Sequence, residues 1–296
     1  MTITRSAKRM PIDRIVASLG ELPTPPTVVS AVMGLTSNLN TEATKLSAAL
    51  AADQALTAKV LRLSNSPFYG RSRTVGSLSE AVMILGFYTI RSLVVATSAY
   101  TMFSRGPRPD LVETLWRHSL GTATGARIIA RRVGYPQIEE MFLAGLLHDI
   151  GILVLIKKAP EEYGAVIDQS NATGESRIEL EESIWGFNHV ELGRAVLEQW
   201  NFPSVLIDAV RCHHDPEMAR DNPDFGDDGH RAMEIAHVIH FADVLARSQG
   251  YGFDSSLEFD LPALRSAESL GLTAPSIAEI SEELIERMAE EEQLFK

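Results

Sequence analysis

Apolar residues recur at intervals of three and four along almost every segment of this 296-residue chain, and strict alternation never persists for more than a few residues. That periodicity predicts an all-α protein. KLSAALAADQALTAKVLRLSNS, residues 45–66, reads as two helices broken near Asp53 and ended by Pro67, which lacks an N–H donor and disfavours helix before it. SLSEAVMILGFYTIRSLVVATSAYTMF supplies one or two buried helices, with a capping box from Ser77 to Glu80 and Gly86 as a point of interruption. Beyond the boundary RGPRPD, Arg105–Asp110, a helix capped by Asp110 and Glu113 runs to a stop at Gly134 and Pro136. One helix is expected over Glu140–Lys158. Two more, NHVELGRAVLEQW and PSVLIDAVRCHH, join near Asn201–Pro203. A polar loop from Asp215 to Gly229 then leads into HRAMEIAHVIHFADVLARSQ, and a final helix starts near Ser276 with Glu279 as its cap partner.

Within this pattern the stretch LAGLLHDIGILVLI, Leu143–Ile156, sets a histidine and an aspartate side by side in an apolar run. An unpaired carboxylate in such a setting costs several kcal/mol or neutralises, so His148 and Asp149 need partners. Every histidine but His230 lies on, or at the end of, a predicted helix: His118, His148, His189, His213, His214, His237 and His240. Imidazole and carboxylate are ligands for intermediate divalent metals, and facing helices converge such groups in a core. A buried cation is therefore one partner for the doublet. Taken singly, each histidine also reads as a surface or hydrogen-bonded core residue.

Composition narrows the classes. Apolar residues make up 45% and charged residues 22%, and no unbroken apolar run reaches the roughly 18 residues of a membrane span. The basic start MTITRSAKRMPIDRI is followed by no signal-type apolar region, and the single cysteine, Cys212, excludes an internal disulfide and CxxC zinc sites. The cytoplasm is the expected compartment. Residues 1–110 hold 12 Lys plus Arg against 6 Asp plus Glu, the rest 15 against 33, within a net charge of −12. An acidic whole argues against nonspecific nucleic-acid binding. The basic part reads as a solvated face or as a surface that docks on the acidic remainder. PTPP at residues 23–26 reads as a rigid lead-in to a helix, Cys212 as a small buried filler, and Phe68, Tyr69, Phe87 and Tyr88 as lobe core.

The series His118, His148-Asp149, His189, His213-His214 and Asp243 resembles the ligand series of HD-superfamily metal phosphohydrolases. LPTPP, DQALTAKVLRLSNSPFYG and SLSEAVMILGFYTIRSLVV, followed by WRHS, AGLLHDIG, NHVELG, HH and FAD, narrow the resemblance to the HDOD family, over roughly residues 15–250. What it implies is an N-terminal helical lobe, residues 15–108, packed on an HD-like helical bundle, residues 109–250. A tail of residues 1–14 precedes the lobe and a C-terminal helical extension, residues 251–296, follows the bundle. It further implies one divalent transition metal, or two, with iron or manganese favoured: His118, His148, Asp149 and Asp243 around one ion, His189, His213 and His214 around a second, and Asp149 bridging. Such a pair activates water and clamps a phosphate.

The family's members are regulatory output modules with no established common reaction, so the implied role is a cytoplasmic bacterial signalling module that contacts a protein partner. A phosphohydrolase acting on a phosphodiester or nucleotide, cyclic dinucleotides included, is the alternative. No residue is assigned a catalytic role. Two departures from the hydrolytic branch bear on that choice. Ile152 stands where that branch has a lysine three residues after the aspartate, and the GYP at residues 134–136 precedes the doublet instead of following the paired histidines. The GYP reads as a helix stop. His237 and His240 are left outside the site, because Asp243 alone matches the last ligand position.

Overall fold

Helix boundaries follow local chemistry closely in this computed structural model, which describes residues 21–23, 26–36, 41–65, 75–103, 107–220, 224–225, 229–253 and 259–295. Every regular element among the described residues is helical, so the all-α expectation holds. The N-terminal lobe contains α1 (Thr27–Thr36), α2 (Ala43–Ala51), α3 (Gln54–Ser64) and α4 (Leu78–Phe103). Ala52 and Asp53 separate α2 from α3, and the Asp53 carboxylate accepts the Leu56 N–H, 3.0 Å, to start the second helix.

Helix α4 contains the kink foreseen at Gly86, whose φ of 78° lies in a region glycine enters without steric cost. The cap at its start differs from the expected box. Ser77 Oγ accepts the Glu80 N–H at 3.2 Å, whereas the Glu80 carboxylate takes the N–H of Gly76, one residue too early. By length and composition Leu78–Val95 is apolar enough to cross a membrane, and 56% of it is buried inside the fold. Phe87 packs half-buried on the core but Tyr88 is 50% exposed; Phe68, Tyr69, the tail of residues 1–14 and two residues of the PTPP run lie outside the described residues.

The bundle is organised about α5 (Pro109–Arg132), which packs on α6 (Ile138–Leu147). Then come α7 (Ile150–Lys158), α8 (Pro160–Thr173), α9 (Arg177–Trp185), α10 (His189–Gln199), α11 (Ser204–Arg211), α12 (Gly229–Ser248), α13 (Arg265–Ser269) and α14 (Ala274–Phe295). Helices α12 and α14 also lie against α5. The expected Asp110 cap is corrected: α5 begins at Pro109 behind Arg108, since proline at the first helical position sacrifices no hydrogen bond. Its stop is as read. Gly134, φ 75°, turns the chain so that the Tyr135 N–H donates to the Ala130 carbonyl at 2.8 Å. Helix α14 starts at Ala274, ahead of the expected Ser276, because Thr273 and Ser276 cap each other across the first turn.

One apolar core runs from Leu22 in the lobe to Met288 in α14. Polar bonds fix the joints between its parts. Trp200 Nε1 donates to the Pro23 carbonyl at 2.8 Å, which ties the start of the lobe to the bundle. Buried Arg127 on α5 donates to Glu139 at 3.0 Å and to Glu291 of α14 at 3.1 Å, and its guanidinium lies 3.8 Å from the centre of the Phe142 ring. Burial pushes the Glu291 carboxyl pKa up, against Arg127 and Thr124, which hold the anion. The C-terminal helix is thus pinned to the central one by a charge that has its partners.

Candidate metal centre

The single helix expected over Glu140–Lys158 is two helices, and the doublet sits at the break: His148 closes α6 and Asp149 stands before α7. The apolar period continues across the junction, which hides it from the sequence. Asp149, at φ −103° and ψ 21°, leaves helical geometry there, and its carboxylate points among four imidazoles.

Small residues set the helix crossings that bring those imidazoles in. A Cβ on Gly145 of α6 would stand 3.0 Å from Ala123 Cα and from the Thr122 carbonyl of α5, so the two backbones nearly touch and His148 meets His118. A Cβ on Gly151 of α7 would overlap the His189 carbonyl oxygen and lie 2.8 Å from the Gly193 nitrogen. Helices α7 and α10 therefore meet backbone to backbone, and Asp149 reaches His189. The start of α10 is fixed by a complete capping box: Asn188 accepts from Val190 and Glu191 while the Glu191 side chain takes the Asn188 N–H.

Tautomers follow from the outer partners. Nδ1 of His118 lies 3.0 Å from the Tyr251 carbonyl, that of His148 2.6 Å from Gly145 O, that of His213 2.6 Å from Val210 O, and that of His189 2.7 Å from a Glu181 oxygen. Carbonyls and carboxylates only accept, so each Nδ1 carries the hydrogen and each Nε2 turns a lone pair inward. His118 and His148 then face each other Nε2 to Nε2 at 3.2 Å, and His189 and His214 at 2.9 Å. Buried His213 Nε2 has no hydrogen-bond partner. The opposed lone pairs of His118 and His148 and the orphaned His213 nitrogen need a proton or a cation beside them.

Asp149 joins the two sets. One carboxylate oxygen lies 3.5 Å from His118 Nε2 and 3.2 Å from His148 Nε2; the other lies 3.6 Å from His189 Nε2 and 3.7 Å from His213 Nε2. Two ligand atoms each about 2.1 Å from one ion stand roughly 3–4 Å apart, so these spacings fit shared cations. The donors form two groups, His118–His148–Asp149 and Asp149–His189–His213–His214, each with its ligand atoms within 4.8 Å of one another. Asp243 joins beside the first, its Oδ1 3.2 Å from His118 Nε2 and its Oδ2 held by Arg247 at 3.1 Å. All seven residues singled out in the sequence converge, and all but His214 are buried. The donor set fits a divalent metal.

The electrostatics point the same way. Burial works against a charged His118, but Asp149 and Asp243 overcome it and raise its pKa to about 9, a proton held where a cation would sit. Burial and the neighbouring His148 push His213 down to about 3. Burial resists the charge on Asp149, yet the surrounding histidines hold its carboxyl well below the usual range. His237 and His240 pair elsewhere, with Glu217 at 3.3 Å and with the Ser266 hydroxyl. Cys212 is a buried filler whose thiol donates to the Asp208 carbonyl and is pushed up to about 12 by burial.

Sequence reasoning missed the outer partners. Fully buried Glu181 accepts the His189 ring N–H and backbone N–H, both at 2.7 Å, and the Tyr163 hydroxyl at 3.1 Å. No spacing rule singles out one glutamate among the several of RIELEES. Outer partners of this kind raise ligand basicity and fix ring orientation, and their loss costs 10–100-fold in metal affinity. Glu181→Gln should show that loss in a chelator-competition titration with the fold unchanged. An unaltered affinity would make Glu181 purely a packing residue.

A cleft of about 260 Å³ connects the centre to solvent, with Asp149, His189, His214, Asp243 and Ile152 on its inner wall. Among the described residues its lining comes entirely from the bundle.

Comparison with known proteins gives the same frame. A protein of Treponema pallidum is 25% identical over 200 residues, 66% of this chain and 38% of that protein. Ribonuclease Y of Nitratiruptor sp. is 27% identical over 160 residues, 54% of this chain and 23% of the enzyme. The match thus spans only 23–38% of these relatives' length. The crystal structure of an HDOD domain protein from Geobacter sulfurreducens superposes with a TM-score of 0.78 at 27% identity, over 95% of this chain and 96% of that one. With the HDOD domain family model matching residues 22–216, across the lobe and through the paired histidines, the chain belongs to the HDOD domain family.

Proposed function

We propose that this chain is a cytoplasmic bacterial signalling module whose HD-like core binds two divalent transition metals, iron or manganese, and whose output is contact with a protein partner. His118, His148, Asp149 and Asp243 hold one ion, and His189, His213 and His214 the other, with Asp149 shared. The observation that carries the regulatory reading is Ile152. It is buried, it lines the cleft beside Asp149, and it offers no charge to a scissile phosphate where the resemblance leads one to expect a lysine. The uneven charge, basic before residue 110 and acidic after it, suits docking on a charged partner.

A second reading is favoured by Asp149 itself. A carboxylate with one oxygen toward each of two histidine sets is the arrangement a two-metal phosphohydrolase uses, and several relatives carry the name ribonuclease Y. Turnover separates the two. Metal-loaded protein is expected to hydrolyse RNA, nucleotides and cyclic dinucleotides far below the roughly 1 s⁻¹ that marks an ordinary enzyme. Hydrolysis at or above that rate, abolished by His148→Ala with Asp149→Ala, would establish the hydrolase instead.

A further inference from the structure

The cleft above the centre carries two arginines that neither reading has used. Arg177 is the first residue of α9 and Arg247 lies on the last turn of α12, and both line the cleft with Asp149, Asp243 and His214. They come from two different helices. Each is steadied by neighbours: Arg247 donates to Asp243 at 3.1 Å and lies over the Phe259 ring at 5.1 Å, and Arg177 lies over the Phe253 ring at 5.8 Å. The N-terminus of α9, which Arg177 itself begins, borders the cleft. Its cap residue Ser176 makes no side-chain capping bond, and Ser176 and Ile178 also line the space. The first-turn N–H groups of a helix and its positive dipole end favour an anion.

From this juxtaposition we propose that Arg177, Arg247 and the N-terminus of α9 form a binding site for a phosphoryl group, placed so that the same group reaches the metal centre. The proposal rests on the metal reading above and names the ligand class of that site. Planar guanidinium groups match phosphate oxygens in pairs, which is the cationic grip Ile152 does not provide. Three carboxylates, Asp149, Asp243 and Glu175, border the same space and repel an anion in the metal-free protein. Cations on the first two reverse that local charge, so phosphoryl binding and metal binding reinforce each other. Size adds a limit: about 260 Å³ is just under the range of roughly 300–1,000 Å³ that encloses drug-sized ligands. The cleft therefore suits a phosphate-sized group better than the whole of a larger ligand. On the regulatory reading that ligand is the signal, and on the hydrolytic reading it is the substrate.

The test measures binding and metal content together. Inorganic phosphate and adenosine 5′-monophosphate are titrated by calorimetry into full-length protein loaded with manganese, into the metal-stripped protein, and into Arg177→Ala, Arg177→Lys and Arg247→Ala variants, each assayed for manganese. The loaded protein is expected to bind both probes at least tenfold more tightly than the stripped one. Arg177→Ala is expected to weaken binding at least tenfold at unchanged manganese content, and Arg177→Lys to restore part of it. Arg247→Ala is expected to do the same with some loss of metal, since Arg247 also holds Asp243. Loaded protein that ignores both probes, or binds them equally well without Arg177, overturns the phosphoryl site and leaves the metal reading standing. Protein that takes up no manganese overturns the metal reading, and absence of phosphate binding there removes the site with it.

Discussion

Asp149→Ala should strip metal from both groups at once, lowering metal content to background and affinity by at least 100-fold, whereas His118→Ala should spare the group around His189. The asymmetry follows from position. Each histidine contributes one Nε2 to one set, but the Asp149 carboxylate lies within 3.2–3.7 Å of Nε2 atoms in both. Second-layer changes cost 10–100-fold, and removal of a shared ligand exceeds that. Elemental analysis of the two variants checks it; equal losses would mean that Asp149 serves a single ion or none. A control on folding comes from His118 in the metal-free protein. Its pKa is raised from 6.5 to about 9, so the stabilisation from its proton is complete below about pH 6.5 and disappears as pH rises through 9. That contribution is worth on the order of 3 kcal/mol, and Asp149→Ala should shrink it and narrow its window, because one of the two carboxylates that raise the pKa is gone. Metal-free melts from pH 6 to 10 read this separately from metal loss.

What the sequence made legible was the set of side chains that converge: the doublet inside an apolar run demands partners, and the family resemblance picked out the five other residues the fold brings to it. The break between α6 and α7 was not legible. Neither glycine nor proline occupies His148 or Asp149, and the apolar pattern from Met141 to Ile156 reads straight through. Glu181 escaped for the opposite reason: its burial depends on α9 meeting His189 and Tyr163, a tertiary fact with no period of its own. Arg177 and Arg247 carry no sequence mark of a shared role, and only the fold lines one cleft with both. Cap residues fall between these cases. Proline at the start of α5 outranked the expected Asp110, and the Thr273–Ser276 pair moved the start of α14 forward by two residues.

Gly151→Ala is expected to damage stability and metal binding together, although it adds one methyl group and touches no ligand side chain. The new Cβ would meet the His189 carbonyl oxygen and the Gly193 nitrogen, which are backbone atoms and cannot swing aside as a flexible side chain does. Neither helix yields easily. Ile150, Ile152, Val154, Leu155 and Ile156 bury α7 in the core, and the start of α10 is held by the Asn188 capping box and by Glu181 on the His189 N–H. Overpacking of a closed core costs about 1–3 kcal/mol and occasionally more, and backbone contact on both sides places this case at the upper end, a fall of several degrees in Tm. Relief requires α7 and α10 to separate, which draws Asp149 away from His189, now 3.6 Å apart, and from His213 at 3.7 Å. Metal affinity should fall by at least tenfold in consequence. Gly34 in α1 is the control, since a Cβ there meets nothing within 4 Å, and Gly34→Ala should leave metal affinity unchanged while stabilising by about 0.5–1 kcal/mol through helix propensity. Thermal melts and chelator competition on the two variants decide it. A Gly151→Ala protein that melts and binds metal like the parent would show that the α7–α10 contact does not position Asp149.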